Sequence, residues 1–103
     1  MSPLQSDIAT FIRENALTCD PATRALDLAS EFGEVAKEIL KSSDYGKKAV
    51  TKSDDLQEEL GDLAFSLYAL ASELDVDLES ATQGALKKYR TRLTASGSAG
   101  SGR

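Results

Sequence analysis

Apolar residues recur along most of this 103-residue chain at intervals of three and four, the signature of helices that bury one face. Leu4, Ile8, Phe11 and Ile12 share one face of a first helix, expected over about 4–15. Thr18-Cys19-Asp20-Pro21 interrupts the pattern. Asp20 suits the N-cap, and Pro21 suits the first helical position, where no amide hydrogen is needed. A second helix from Pro21 to about Ser43 carries Ala25, Leu28, Ala29, Phe32, Val35, Ala36 and Ile39. Asp44-Tyr45-Gly46 reads as a turn, opening a lysine-rich loop to Lys52. Ser53 can cap a third helix, in which Leu56, Leu60, Leu63, Leu67, Leu70 and Leu74 alternate spacings of four and three. A break at Asp75-Val76 and a cap at Asp77 begin a fourth helix over about 78–94. No strand-like alternation is sustained. The expected fold is all-α, a four-helix bundle-like domain over residues 1–95, followed by a flexible Gly/Ser tail over 96–103.

The third helix carries more apolar surface than one stripe. Between Leu63 and Leu74 the polar residues are Ser66, Ser72, Glu73 and the hydroxyl end of Tyr68, while Phe65, Tyr68 and Ala69 lie off the leucine stripe. A helix apolar nearly all round calls for burial on all sides. Assembly as a homo-oligomer through this helix, a homodimer or a dimer of dimers, is therefore expected, against the alternative of a tight monomeric bundle.

Composition narrows the chemistry. Histidine is absent and Cys19 is the single cysteine, so histidine-based catalysis, internal disulfides and cysteine-built zinc sites are excluded. A net charge of −5 argues against a nucleic-acid polymer as partner. The apolar runs are too short to span a membrane, and Met1-Ser2-Pro3-Leu4-Gln5-Ser6-Asp7 has neither the basic region nor the apolar core of a signal peptide. A cytoplasmic location is expected. Any catalysis must use carboxylates, lysines, arginines, hydroxyls or a metal held by oxygen.

Charge is segregated. Residues 53–86 hold nine acids and no base, whereas bases gather at Lys41, Lys47, Lys48 and Lys52 and again at Lys87, Lys88, Arg90 and Arg92. On the second helix Asp27, Glu31, Glu34 and Glu38 form an acidic stripe beside the apolar face, and on the third Asp55, Glu59 and Asp62 do the same. If the two helices pack antiparallel, both stripes meet in one cleft. Carboxylates gathered out of water need a counter-charge, and all-oxygen ligation suits magnesium or manganese. The alternative is a solvated face, common for glutamates at helical spacing. Gly33 and Gly61, each just before an acid of these stripes, suggest a close approach of backbone or ligand.

Ser30-Glu31-Phe32-Gly33-Glu34-Val35 and Glu58-Glu59-Leu60-Gly61-Asp62-Leu63 resemble the paired motifs of the MazG-like nucleotide pyrophosphohydrolases, an all-α superfamily with an EExxE motif followed a few turns later by ExxD. The resemblance runs from about Asp20 to Leu93 and takes in Lys88-Tyr89-Arg90-Thr91-Arg92. It implies magnesium-dependent hydrolysis of a nucleoside (deoxynucleoside) triphosphate to monophosphate and pyrophosphate, in the manner of a nucleotide-pool house-cleaning enzyme. It implies Glu31, Glu34, Glu59 and Asp62 as metal ligands, with Mn²⁺ a possible substitute for Mg²⁺, and Lys88 and Arg92 as phosphate contacts. Lys48, in the loop, is a further candidate for holding the anionic substrate, with a solvated lysine as its alternative. Ser30 replaces the first glutamate of EExxE, so the proton acceptor for the attacking water is sought among Glu34, Glu38 and Glu58. Phe11, Phe65 and Tyr68 are candidates to stack on a base or to fill the core. The competing functions are a non-catalytic helical dimerisation or adaptor module and an inactive family member. A di-iron carboxylate bundle is disfavoured by the lack of Glu-x-x-His.

Overall fold

Each helix begins where a short polar side chain takes up an otherwise free amide hydrogen. Ser2 accepts from the Gln5 N–H (3.2 Å), Asp20 from Thr23 (2.9 Å), Ser53 from Leu56 (3.1 Å) and Asp77 from Ser80 (3.3 Å). A computed structural model describes residues 1–97 as α1 (Pro3–Glu14), α2 (Pro21–Ser42), α3 (Asp54–Glu73) and α4 (Leu78–Ser96), with no strand among them. The expected helices are all present. The last runs slightly further than its pattern suggests, because Gly97 adopts φ 73° and its N–H closes on Leu93 O at 2.9 Å. Residues 98–103 of the expected tail lie outside the described residues.

α2 and α3 form an antiparallel hairpin, the main helix contact of the chain. The seam runs along Arg24, Leu28, Glu31, Val35 and Glu38 of α2 and Leu56, Glu59, Leu63, Ser66, Leu70 and Glu73 of α3, all buried or half-buried. This corrects the expected α2 face, which included Ala25, Ala29, Phe32 and Ile39. Phe32 is 63% exposed, and so are Ala25 and Ala29 to a large degree, because the seam passes a quarter-turn to one side of them. The α3 leucines divide in the same way, with Leu56, Leu63 and Leu70 in the seam and Leu60, Leu67 and Leu74 left outside. One end of the seam is closed by Arg24, which lies 3.7 Å from Glu73 and donates to Leu17 O.

α1 lies across another side of α3. Ile8 and Ile12 pack on Ala69, with Tyr68 against them, and Phe11 meets Phe65 edge to face at 6.2 Å. The three aromatic candidates for base stacking thus all take part in the α1–α3 contact, with Phe11 still 49% exposed and Tyr68 also lining a cleft between α3 and α4. Gln5, on the same α1 stripe, is fully buried. Its Nε2 donates to Val76 O (2.8 Å) and Ser72 Oγ (3.5 Å), and its Oε1 accepts from the Leu78 N–H (2.9 Å). This amide ties α1 to the α3–α4 turn and sets the direction in which α4 departs. α4 then packs closely on no other helix. The chain is therefore a three-helix unit with a projecting fourth helix and not a closed four-helix bundle. Its radius of gyration, 16.6 Å, exceeds the value of about 13 Å usual for a domain of this length.

Candidate metal centre

The middle of the α2–α3 seam is where apolar packing gives way to carboxylates. Glu31 and Glu59 replace the leucines and valine that fill the seam on either side, and Asp62 stands at its edge one turn beyond Glu59. The antiparallel register brings one carboxylate oxygen from each of Glu31, Glu59 and Asp62 within 4.8 Å of one another. Glu31 and Glu59 are half-buried and Asp62 is exposed, so the cluster opens to solvent on one side.

Glu59 shows what this arrangement costs. Its carboxyl is held above the usual glutamate range, first by loss of hydration, then by the negative charges of Asp62, Glu34, Glu31 and Glu58. No lysine or arginine among the described residues forms an ion pair with Glu31, Glu34, Glu59 or Asp62. The seam supplies such a partner elsewhere, at Arg24–Glu73, so the lack of one here is local. An oxygen-only donor set of net negative charge, open to solvent, fits a hard divalent cation.

The other candidates fall into place around this cluster. Glu34 is exposed on the flank of α2, near enough to act on Glu59 by charge but outside the group of three. Glu38 is half-buried in the seam one turn further and pairs with Lys41 at 3.4 Å. Glu58 is exposed beside Glu59, and Ser30 is exposed on α2. Lys48 is exposed in the α2–α3 loop, where Asp44, Tyr45 and Gly46 take φ of 49°, 57° and 89° and Ser43 Oγ accepts the Gly46 N–H at 3.0 Å. Lys88 and Arg92 sit on α4 around Tyr89, 5.0 and 5.8 Å from the centre of its ring. Gly33 and Gly61 are corrected: a Cβ at either would meet nothing within 4 Å, so neither glycine marks a close approach inside the chain.

Two participants were not singled out from sequence. Gln5 lies on the same stripe as Ile8 and Ile12, and a polar residue on an apolar stripe is a readable signal. Arg24 precedes Leu28 by one turn on the seam, but nothing local says that Glu73 is its partner.

The MazG nucleotide pyrophosphohydrolase domain matches residues 20–95, which contain the whole carboxylate cluster. The chain belongs to that family. MazG domains are generally metal-dependent hydrolases of the pyrophosphohydrolase type, in keeping with the cluster just described. The chain is 37% identical over 98 residues to the uncharacterized protein YpjD of Bacillus subtilis (strain 168), a match covering 89% of this chain and 85% of that one. It is 41% identical over 70 residues to the gene 37 protein of Mycobacterium phage L5, covering 65% of this chain and 60% of the phage protein. No solved structure matches. No helix among the described residues is long and apolar enough to cross a membrane.

Proposed function

We propose that this MazG-family chain hydrolyses nucleoside triphosphates, deoxynucleoside triphosphates foremost, between the α and β phosphates, releasing monophosphate and pyrophosphate in a magnesium-dependent reaction. The observation that carries this reading is the group Glu31, Glu59 and Asp62, gathered without a counter-charge in the two motif segments. A nucleotide-pool house-cleaning role, a cytoplasmic location and assembly as a homo-oligomer through α3 belong to the same reading.

Glu31, Glu59 and Asp62, with Glu34 on the flank, would hold Mg²⁺ or Mn²⁺. The ion would draw phosphate oxygens to the cluster and offset the charge that develops as the phosphoanhydride breaks. The chain's own groups do the rest. Glu34, Glu38 and Glu58 are the carboxylates this reading offers to accept a proton from the attacking water. Glu38 is already engaged by Lys41 at 3.4 Å, whereas Glu34 and Glu58 are exposed. Glu34 and Glu58 therefore lead. Lys88, Arg92 and Lys48 would contact the phosphates, the guanidinium of Arg92 by a bidentate contact.

The deciding experiment is product analysis on a panel of triphosphates, with Mg²⁺ and with chelator, for wild type and Glu59→Gln. Monophosphate plus pyrophosphate, lost with chelator and with the substitution, is the expected result. Diphosphate plus phosphate would place cleavage at the wrong bond. Ser30, where the motif has glutamate, favours an inactive member as the second reading. Metal binding without turnover on any nucleotide would select it, and neither binding nor turnover would leave a helical dimerisation or adaptor module.

A further inference from the structure

α4 is joined to the rest of the chain by a short link and one buried side chain. Asp75 (φ 56°), Val76 and Asp77 lead into it from the end of α3. A cleft of about 570 Å³ stands between α3 and α4, lined by Ala64, Leu67, Leu78 and Leu86 among others, so close helix packing does not set where α4 points. Gln5 does. It is 0% exposed, and its amide takes the groups on either side of the Asp77 cap: Nε2 donates to Val76 O at 2.8 Å, and Oε1 accepts the Leu78 N–H at 2.9 Å. That N–H is one of those a helix start leaves without an internal partner, and a residue 73 positions away satisfies it. α1 is itself fixed on α3 by Ile8 and Ile12 against Ala69, so Gln5 refers the start of α4 to the body of the protein. The Met1 amine, 2.8 Å from Asp77, adds a solvent-accessible ion pair, of a kind that contributes little.

We propose that Gln5 is a positioning residue for the substrate: through the start of α4 it aims Lys88 and Arg92 at the phosphates. The inference rests on the triphosphate reading above, in which those two cations contact phosphate. α4 acts as a lever. Lys88 lies about 15 Å and Arg92 about 21 Å along the helix axis from Leu78. A swing of about 10° at the joint carries Lys88 about 3 Å and Arg92 about 4 Å. A charge-assisted hydrogen bond spans only about 2.7–2.9 Å, so either displacement breaks a phosphate contact. Misplacement of about 1 Å is already costly where groups must be aligned in advance. The metal centre is insulated from the joint. Gln5 meets α3 at Ser72 (3.5 Å), about 15 Å along the axis from Asp62, and Glu31, Glu59 and Asp62 stay on the α2–α3 seam when the latch opens. A latch of this kind has a signature: hold on the substrate weakens while metal affinity and the chemical step persist.

Steady-state kinetics on deoxynucleoside triphosphates, with calorimetric titration of Mn²⁺, tests this on the full chain at a temperature where circular dichroism shows every variant helical. Gln5→Leu is expected to raise KM about tenfold, with kcat and the Mn²⁺ dissociation constant within about twofold of wild type. Leu78→Pro decides the matter if Gln5→Leu fails to fold. Proline is favoured at the first helical position and Asp77 is already extended (φ −77°, ψ 104°), so α4 persists while the N–H that Gln5 accepts is removed. It is expected to raise KM in the same sense. Arg92→Ala should raise KM in wild type and add less than about half of that effect, on a logarithmic scale, in the Gln5→Leu background. Independent effects of Arg92→Ala in the two backgrounds, or a KM unchanged by both latch variants, overturn the positioning role. A parallel fall in kcat and Mn²⁺ affinity also overturns it and makes Gln5 a residue of the fold alone. A wild type that turns over no triphosphate overturns the proposed function and this inference together, whereas an active wild type with neutral latch variants overturns the inference alone.

Discussion

The α1–α3 contact and the middle of the α2–α3 seam are both places where helices meet, yet they treat polar groups in opposite ways. At the first, the one buried amide, Gln5, has both ends of its side chain satisfied. At the second, Glu31, Glu59 and Asp62 crowd together with no cation to answer them. Polar groups removed from water are normally paired, so a closed account is the mark of structure and an open one is the mark of a binding site. The same α3 helix serves both ends of this contrast. Its Ala69 is small enough to let α1 approach, and its Glu59 stands half-buried in the seam beside Glu31.

The sharpest break of this comparison is to remove one carboxylate. Glu59→Gln is expected to lower triphosphate hydrolysis at least about 100-fold while leaving the melting temperature of the metal-free protein unchanged or raised, because it relieves like-charge repulsion. Parallel activity and thermal melts check it, and a metal-free protein clearly destabilised by the substitution would make Glu59 a structural residue. Next, Mg²⁺ or Mn²⁺ at about 100 times its dissociation constant should add about 2.7 kcal/mol, raising the melting temperature by about 10–20 °C. Chelator should reverse the rise, and Glu59→Gln should abolish it.

At the α1–α3 contact the signs invert. Ile12→Ala is expected to cost about 2–5 kcal/mol by leaving a cavity. Gln5→Leu should cost about 2–4 kcal/mol by stranding the Val76 carbonyl and the Leu78 N–H. Urea melts measure both, and neither loss should be recovered by metal. A Gln5→Leu protein as stable as wild type would show that the latch is not needed to hold α4.

A gentler test is pH. The raised pKa of Glu59 means the folded metal-free chain holds this proton more tightly than the unfolded chain does. Its contribution to stability is full below the ordinary glutamate range and is lost as pH rises through the raised value. Metal needs the ionised form, so metal affinity should fall as pH is lowered into that same window. Calorimetric titration of Mn²⁺ across mildly acidic pH, with Glu59→Gln alongside, separates this from general acid unfolding. The smallest expected effect is at the loop. Lys48→Ala should raise KM less than about threefold, since an exposed lysine contributes by attraction at a distance.

Much of this architecture could be read without coordinates. Asp20-Pro21, Ser53 and Asp77 mark helix starts because capping is decided within three residues of chain. The acidic stripes were legible for the same reason, since spacing of three and four is a local property. The face on which each helix would be buried was less legible. Phe32 and Val35 are equally apolar, and only the arrival of α3 on one side decides that Val35 is covered and Phe32 is not. Gly33 and Gly61 bring no backbone of the chain close, because a glycine in a helix carries no statement of which element stands opposite it.

The sequence by itself determined four helices, their caps and a surplus of carboxylate along two of them, because hydrogen bonding and periodicity act over a turn or two. Tertiary structure alone decided which carboxylates meet. The antiparallel register of α2 and α3 selects Glu31, Glu59 and Asp62 from the ten carboxylates on the two helices and leaves Glu34 on the flank. It also decided that Arg24 finds Glu73, that Gln5 fixes the direction of α4, and that one apolar side stays uncovered. Each of these depends on residues far apart in the chain, whose meeting is settled by how whole helices pack.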